Sequence, residues 1–245
     1  MFVMDDVNPM IEPAARSRRE RARATRRRII DAALARFLDE GYAATTMETI
    51  ALDAGVAVQT VYFTFHTKAE LLLAALSVAG GEPDAAEDPV DRAWFGRVMA
   101  ANSGARRLAL IVELGNEIYV RIGPLMPAVR AASSVDPAVD LAWQGLVARR
   151  REGMRRVIDV FAERGELRPD LEPSLALDLL FGLHRSEIYL AFTQECGWPL
   201  ERYKAWQFAT LAQALLPEPA ARAALAPASP DTEDLTFAAE LALFR

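Results

Sequence analysis

Residues 41–72 read GYAATTMETIALDAGVAVQTVYFTFHTKAELL, and the punctuation of this stretch decides the fold. Thr45 with Glu48 three positions later has the form of a capping box, and Thr46 is an equally good N-cap for a short helix that runs through Ala54 and stops at Gly55. Ala54-Gly55-Val56-Ala57 then makes a tight turn, and a second short helix follows from about Val58 to Phe65. Thr67, with Glu70 three residues on, caps a further helix that carries Leu71, Leu72 and Leu76. Upstream, Ile29, Ile30, Ala33, Leu34, Phe37 and Leu38 recur at helical spacing after Thr25, and Gly41 stands where a C-terminal cap belongs. Two short helices across a glycine-containing turn, preceded by a longer amphipathic helix, are the layout of a helix-turn-helix reader of the DNA major groove.

The chemistry such a reader needs is in the second helix. VQTVYFTFHTK packs inward through Val61 and Phe65 and offers Gln59, Thr60, Tyr62, Phe63 and His66 toward a ligand. At this point the sequence resembles the TetR family of transcriptional regulators. The resemblance covers about residues 25–76 and rests on a Gly-aromatic pair at Gly41-Tyr42, Thr45-Thr46, Ile50-Ala51, Ala54-Gly55-Val56, Thr60-x-Tyr62, a phenylalanine, and Lys68-x-x-Leu71, in order and spacing. Ala57 stands where the family commonly has a Ser or Thr cap. The resemblance implies that the helix beginning near Val58 enters the major groove and that phosphate contacts come from Thr46, Thr60, Tyr62 and Lys68. Hydroxyls, helix N-termini and ammonium groups all bind phosphate oxygens, and such contacts position the protein without reading sequence. Base reading then falls to Val58, Gln59 and Phe63: Gln59 can form paired bonds to adenine, and the two apolar side chains can touch a thymine methyl. The alternative for Val58 and Phe63 is burial in the core, where apolar residues of a short helix usually go. His66 reads as a surface residue, since no second His, Cys or spaced carboxylate pair accompanies it.

The rest of the chain fits this frame. Its 245 residues are 52% hydrophobic and 25% charged, enough to bury a substantial core. Every long segment has helical periodicity and none alternates as a strand does, so the fold class is all-α. Cys196 is the single cysteine, which excludes an intramolecular disulfide and a multi-cysteine zinc site. Asp5 and Asp6 stand where a signal peptide would be basic, and no apolar run is long enough to span a bilayer, so a cytoplasmic protein is expected. The net charge of −6 hides an uneven layout: RSRRERARATRRR, residues 16–28, holds eight arginines against Glu20. Residues 1–24 are therefore read as a basic, flexible arm, able to neutralise phosphates or simply to remain solvated.

Beyond Gly80-Gly81 the acidic, proline-containing EPDAAEDP marks a boundary between a DNA-binding domain at 25–80 and a larger helical domain at 85–217, with an extension at 218–245. Asp88-Pro89, Gly123-Pro124, Asp136-Pro137, Glu172-Pro173 and Trp198-Pro199 mark helix starts, the longest helix runs from Pro137 to near Glu163, and a last one is placed around Thr232–Phe244. The resemblance implies a ligand pocket and a dimer interface in this part, the homodimer forming through helices at about 174–194 and 199–216. Leu175–Phe192, apolar nearly all round, suits a helix covered on both sides. Pocket candidates are Trp94, Met99, Tyr119, Met126, Trp143, Phe181 and His184, with plain core packing as the alternative for each. Glu113, Glu117 and Arg121 read as a solvated ladder at helical spacing, with the polar lining of a cavity as the alternative, and Arg149, Arg150, Arg151, Arg155 and Arg156 read as a solvated face. No nucleophile–base pair, phosphate loop or metal-spaced cluster is present, so no enzyme, cofactor or metal is expected. The expected function is a homodimeric, ligand-responsive regulator, a repressor in most of the family, binding a palindromic double-stranded operator and released by a small-molecule effector. A constitutive DNA-binding factor is the alternative.

Overall fold

The computed structural model describes residues 11–81, 93–226 and 229–244, with the side chains of residues 11–17 and 93 left out. Residues 1–10 of the basic arm, the EPDAAEDP boundary and the Asp88-Pro89 helix start lie outside the described residues. The described chain is helical, with no strand. The helices are α1 (Ile11–Asp39), α2 (Gly41–Ala44), α3 (Met47–Ala54), α4 (Val58–Thr64), α5 (Lys68–Ala79), α6 (Ala93–Met99), α7 (Gly104–Ile122), α8 (Met126–Val135), α9 (Pro137–Glu163), α10 (Pro173–Leu183), α11 (Ser186–Leu190), α12 (Leu200–Leu215) and α13 (Glu218–Ala224). By its contacts the chain divides into two units. One takes the residues up to Leu76 with Pro127–Val139; the other takes Ser77–Met126 and the residues from Asp140 onward.

In the first unit α1 packs on α3 and α3 on α4. The buried side chains Ile29, Ile30, Ala33, Phe37, Ile50, Ala54, Val61, Phe65 and Leu72 follow the inward faces that periodicity assigns. Helix α1 reaches back to Ile11, so the described part of the expected flexible arm, residues 11–24, is helical, as is the whole arginine-rich stretch 16–28. Helix α3 is capped by Thr46 with Thr49: the Thr46 hydroxyl accepts from the Thr49 amide and the Thr49 hydroxyl from the Thr46 amide, 3.2 Å each. This replaces the expected box of Thr45 and Glu48. The Thr45 hydroxyl is buried and donates to the Gly41 carbonyl at 2.8 Å. Gly55 ends α3 in the left-handed region at φ 63, a conformation that favours glycine.

In the second unit α12 lies against α7, α10 and the C-terminal segment. Tyr203, Ala205, Phe208, Leu211, Ala212 and Leu215 of α12 are buried. The C-terminal segment folds back instead of hanging free: the Phe237 ring packs tilted against Phe208 with centres 5.6 Å apart, Thr236 accepts from Lys204 at 3.0 Å, and Arg106 of α7 forks onto Asp234 at 2.5 and 2.8 Å. Its last seven described residues, Ala238–Phe244, form a 3-10 helix, and turns precede it. The regular helix expected over Thr232–Phe244 is therefore absent.

The long apolar helix expected over Leu175–Phe192 is broken. Helix α10 stops at Leu183, Arg185 is extended at φ −129 and ψ 150, α11 covers five residues, and Ala191–Glu195 winds as a π-turn. The break has two visible causes. The His184 carbonyl accepts the Tyr119 hydroxyl at 2.9 Å and so leaves the helical ladder, and the His184 ring lies so close to α7 that only glycine fits opposite it. A Cβ on Gly115 would stand 2.2 Å from His184 Nε2. The homodimer helix read at 174–194 is accordingly two helical pieces and a π-turn.

Candidate nucleic-acid interface

Helix α4 is sorted sharply into two faces. Val61 and the following Phe65 are enclosed, whereas Phe63 is 87% and Tyr62 46% exposed, and Gln59 is exposed as well. Val58 and Thr60 are half-buried at the start of the helix. An exposed phenylalanine beside an exposed tyrosine on a seven-residue helix is costly in water, and Phe63 is not in the core. The enclosed positions recur at the spacing that leaves residues 59, 62 and 63 on the opposite side. Ala57 precedes α4 with no side-chain cap, as its lack of an acceptor requires.

Around this helix, Thr46 is exposed at the start of α3 while its hydroxyl serves the cap. His66 is exposed and its Nδ1 lies 3.2 Å from Glu70 Oε2. Lys68 is half-buried, and its ammonium is already engaged: it donates to the carbonyls of Tyr42 at 2.7 Å and Thr45 at 2.9 Å and sits 4.2 Å from the centre of the Tyr42 ring. Burial lowers the Lys68 pKa from the usual lysine value. The Tyr42 hydroxyl in turn donates to Asp136 at 2.7 Å, which holds that carboxyl below the ordinary aspartate range, while burial pushes the tyrosine up. Lys68 thus clamps the loop from which Thr46 and α3 start, a role that its spacing to Leu71 does not announce. Tyr42 and Asp136 join it through the tertiary fold alone.

Arginines of α1 reach this unit too. Arg36 forks onto Asp53 of α3 at 2.5 and 3.0 Å, fixing the register of the two helices, and the Arg26 guanidinium lies 4.2 Å over Phe65. Arg18, Arg19, Arg21 and Arg23 are exposed along α1.

In the second unit the pocket candidates part company. Tyr119 and His184 touch directly, with ring centres 5.2 Å apart, and Phe181 joins them through Arg150, whose guanidinium lies 5.7 Å from the Tyr119 ring and 5.1 Å from the Phe181 ring. Burial lowers the His184 pKa to about 3, so the ring is neutral, and its Nδ1 faces Gln207 Oε1 at 3.3 Å. Gln207 also accepts from Asn116 at 2.7 Å and donates to the Tyr203 hydroxyl at 2.9 Å. Trp94 and Met99 are half-buried against the core, Met126 is enclosed and Trp143 is half-buried. Among the described residues no hydrogen bond or ring contact joins these four to the Tyr119–His184 cluster. A groove of about 950 Å³ between Arg168, Gln213, Leu216, Pro217 and Leu225 contains none of the candidates.

Glu113 is buried and pairs with Lys204 at 3.2 Å, so it is no rung of a solvated ladder, whereas Glu117 is exposed and Arg121 donates to the Gly80 carbonyl at 3.1 Å. Arg150 leaves the solvated arginine face, while Arg151, Arg155 and Arg156 keep it with acidic partners. Among the described residues no group of three His, Cys, Asp or Glu could hold a metal ion, and no helix is long and apolar enough to cross a membrane.

A family model described as "Bacterial regulatory proteins, tetR family" matches residues 29–75, and one described as "Tetracyclin repressor-like, C-terminal domain" matches residues 103–194. The uncharacterized HTH-type transcriptional regulator TtgW of Pseudomonas putida is 44% identical over 63 residues, 26% of this chain and 47% of that protein, so the chain spans about half the length of this curated relative. Among solved structures, the SmeT–triclosan complex superposes with a TM-score of 0.63 at 20% identity, covering 80% of this chain and 93% of that one. A putative TetR-family transcriptional regulator from Mesorhizobium loti superposes with a TM-score of 0.63 at 24% identity, covering 79% and 96%. These structural likenesses establish the fold. The two family models fall in order on the reading-head segment and on the helices after it, and the chain belongs to the TetR family of bacterial regulatory proteins.

Proposed function

We propose that the protein is a ligand-responsive transcriptional repressor that binds a palindromic operator as a homodimer. The observation that carries the DNA-binding part is the outward face of α4: Gln59, Tyr62 and Phe63 are exposed together while Val61 and Phe65 anchor the helix from behind. Gln59 supplies paired hydrogen bonds to an adenine edge, Val58 and Phe63 supply apolar contact to thymine methyls, and the hydroxyls of Thr46, Thr60 and Tyr62 reach phosphates. Lys68 acts here chiefly by holding the Tyr42–Thr45 loop, with one ammonium hydrogen left for a phosphate.

A dimer is part of this reading because two reading heads about one DNA turn apart, ~34 Å, match the two halves of a palindrome. Leu175 of α10 is half exposed, and Leu179, Trp206 and Thr210 are half-buried on α10 and α12, which leaves apolar surface for a second copy. Effector control requires a ligand that prefers one of two states, and a shift from 99:1 to 1:99 takes about 5.5 kcal/mol of differential affinity. Protection footprinting of the DNA around the protein's own gene, with light scattering of the complex, tests the reading. A protected palindrome bound by two chains is expected; uniform binding to all duplexes at every salt concentration contradicts it.

A further inference from the structure

We propose that the second unit recognises an organic anion, an apolar or aromatic body carrying a carboxylate, with Arg150 of α9 as its counter-ion. This deepens the effector reading above and rests on it. Three guanidinium groups surround the Phe181 ring: Arg150 at 5.1 Å, Arg151 at 5.3 Å and Arg185 at 5.6 Å from its centre. Two of them are answered by carboxylates, Arg151 by Asp178 at 2.6 Å and Arg185 by Glu187 at 3.0 Å. Arg150 has no such partner among the described residues, and its Nη2 is enclosed without a hydrogen bond.

A guanidinium is always charged, and enclosing one of its N–H groups without an acceptor is unfavourable. Stacking on Tyr119 and Phe181 compensates in part, because both ring faces are electron-rich. The neighbouring side chains do not supply the missing acceptor. His184 is a neutral ring turned to Gln207, the Tyr119 hydroxyl is committed to the His184 carbonyl, and the Gln207 carbonyl oxygen accepts from Asn116. The Arg150 Nη2 therefore stands between two aromatic walls without an acceptor.

A carboxylate accepts two N–H groups of a guanidinium in one plane, and an aromatic or apolar body suits the walls. Phe181 is also placed to admit it. The helical ladder ends at the His184 amide, which donates to Leu180, and resumes at Tyr189, which donates to Arg185. Phe181 stands within one turn of that break, so a shift of this wall need not unwind a continuous helix.

Titration calorimetry of the full-length protein with 2-naphthoate, 2-naphthamide and 2-naphthylmethylammonium tests the proposal, since the three share one ring system and differ in charge. We expect naphthoate to bind roughly tenfold or more tightly than the amide, the ammonium to bind weakest, and R150Q to bring acid and amide to within about twofold. R150K should keep part of the preference, and should R150Q fail to fold, R150K and the wild-type series decide by the same criterion. Amide or ammonium binding as tightly as naphthoate, an acid preference that survives in R150Q, or no binding of any probe overturns the proposal. Naphthoate binding that leaves operator affinity unchanged retains the anion site and removes the effector reading. Release of DNA by a neutral or cationic compound while organic acids do not bind does the reverse.

Discussion

Lys68 holds Tyr42 twice: its ammonium donates to the Tyr42 carbonyl at 2.7 Å and lies 4.2 Å from the centre of the same residue's ring. The relationship places a charged group under the loop that starts α3 instead of on the outward face of α4. Lys68→Met should therefore lower the stability of the protein by about 1.5–3 kcal/mol, the range for hydrogen bonds that involve a charge. It should weaken binding to specific and random DNA alike, while the salt dependence of binding changes by less than about one unit of slope. Urea unfolding and binding at several salt concentrations measure both. Unchanged stability with a full unit lost from the slope would show a simple phosphate contact.

Gly115 and His184 are in contact across α7 and the α10 break, and Gly115→Ala would drive a Cβ to 2.2 Å from His184 Nε2. The ring is enclosed and cannot step aside without breaking its contact with Gln207. A loss of about 1–3 kcal/mol in unfolding free energy is expected, as for overpacking in other cores. Gly96→Ala is the matched control: nothing lies within 4 Å of the Cβ it would add, and its backbone is helical. That substitution should stabilise slightly, by no more than about 1 kcal/mol. Equal effects at both positions contradict the packing described for His184.

Burial holds the His184 imidazole neutral in the folded state and lowers its pKa from 6.5 to about 3. The unfolded chain takes up this proton first as the solution is acidified. The stability contributed by the neutral ring is present above pH 6.5 and is lost as the pH falls from there toward 3, at about 1.4 kcal/mol per pH unit. Unfolding free energies between these limits should fall more steeply for the wild-type protein than for His184→Asn, by one proton's worth of slope. Parallel curves would mean that the ring is hydrated in the folded state.

The helix-turn-helix was legible because its signals are local. Val61 and Phe65 recur at helical spacing, Gly55 breaks the chain where a left-handed residue is needed, and Thr67 with Glu70 caps the next helix, the Glu70 amide donating to the Thr67 hydroxyl at 3.1 Å. Pro137 and Glu163 likewise bound α9 as read. Spacing could not separate Thr45 from Thr46, since both precede a plausible helix and only the buried environment of Thr45 decides between them. Nor could it tell Glu113 or Arg150 from their solvated helical neighbours. A ladder at i, i+4 looks the same whether it faces water or another helix, and the partners Lys204, Phe181 and Tyr119 lie on other elements. The interruption at His184 has no proline to announce it, because its causes, a hydroxyl arriving from α7 and the close approach of the ring to Gly115, lie on another element.

The outward face of α4 bears the central claim, and DNA affinity measured beside stability for Gln59→Ala, Phe63→Ala and Val61→Ala tests it most directly. On the duplex that the wild-type protein protects, Gln59→Ala and Phe63→Ala should each cost about 1–3 kcal/mol of binding, with the loss at Gln59 concentrated at one base pair and the unfolding midpoints unchanged. Val61→Ala, which empties part of the core, should instead cost about 2 kcal/mol of stability. Full operator affinity in both Gln59→Ala and Phe63→Ala would contradict the account, because the only face that α4 presents to solvent would then be irrelevant to DNA.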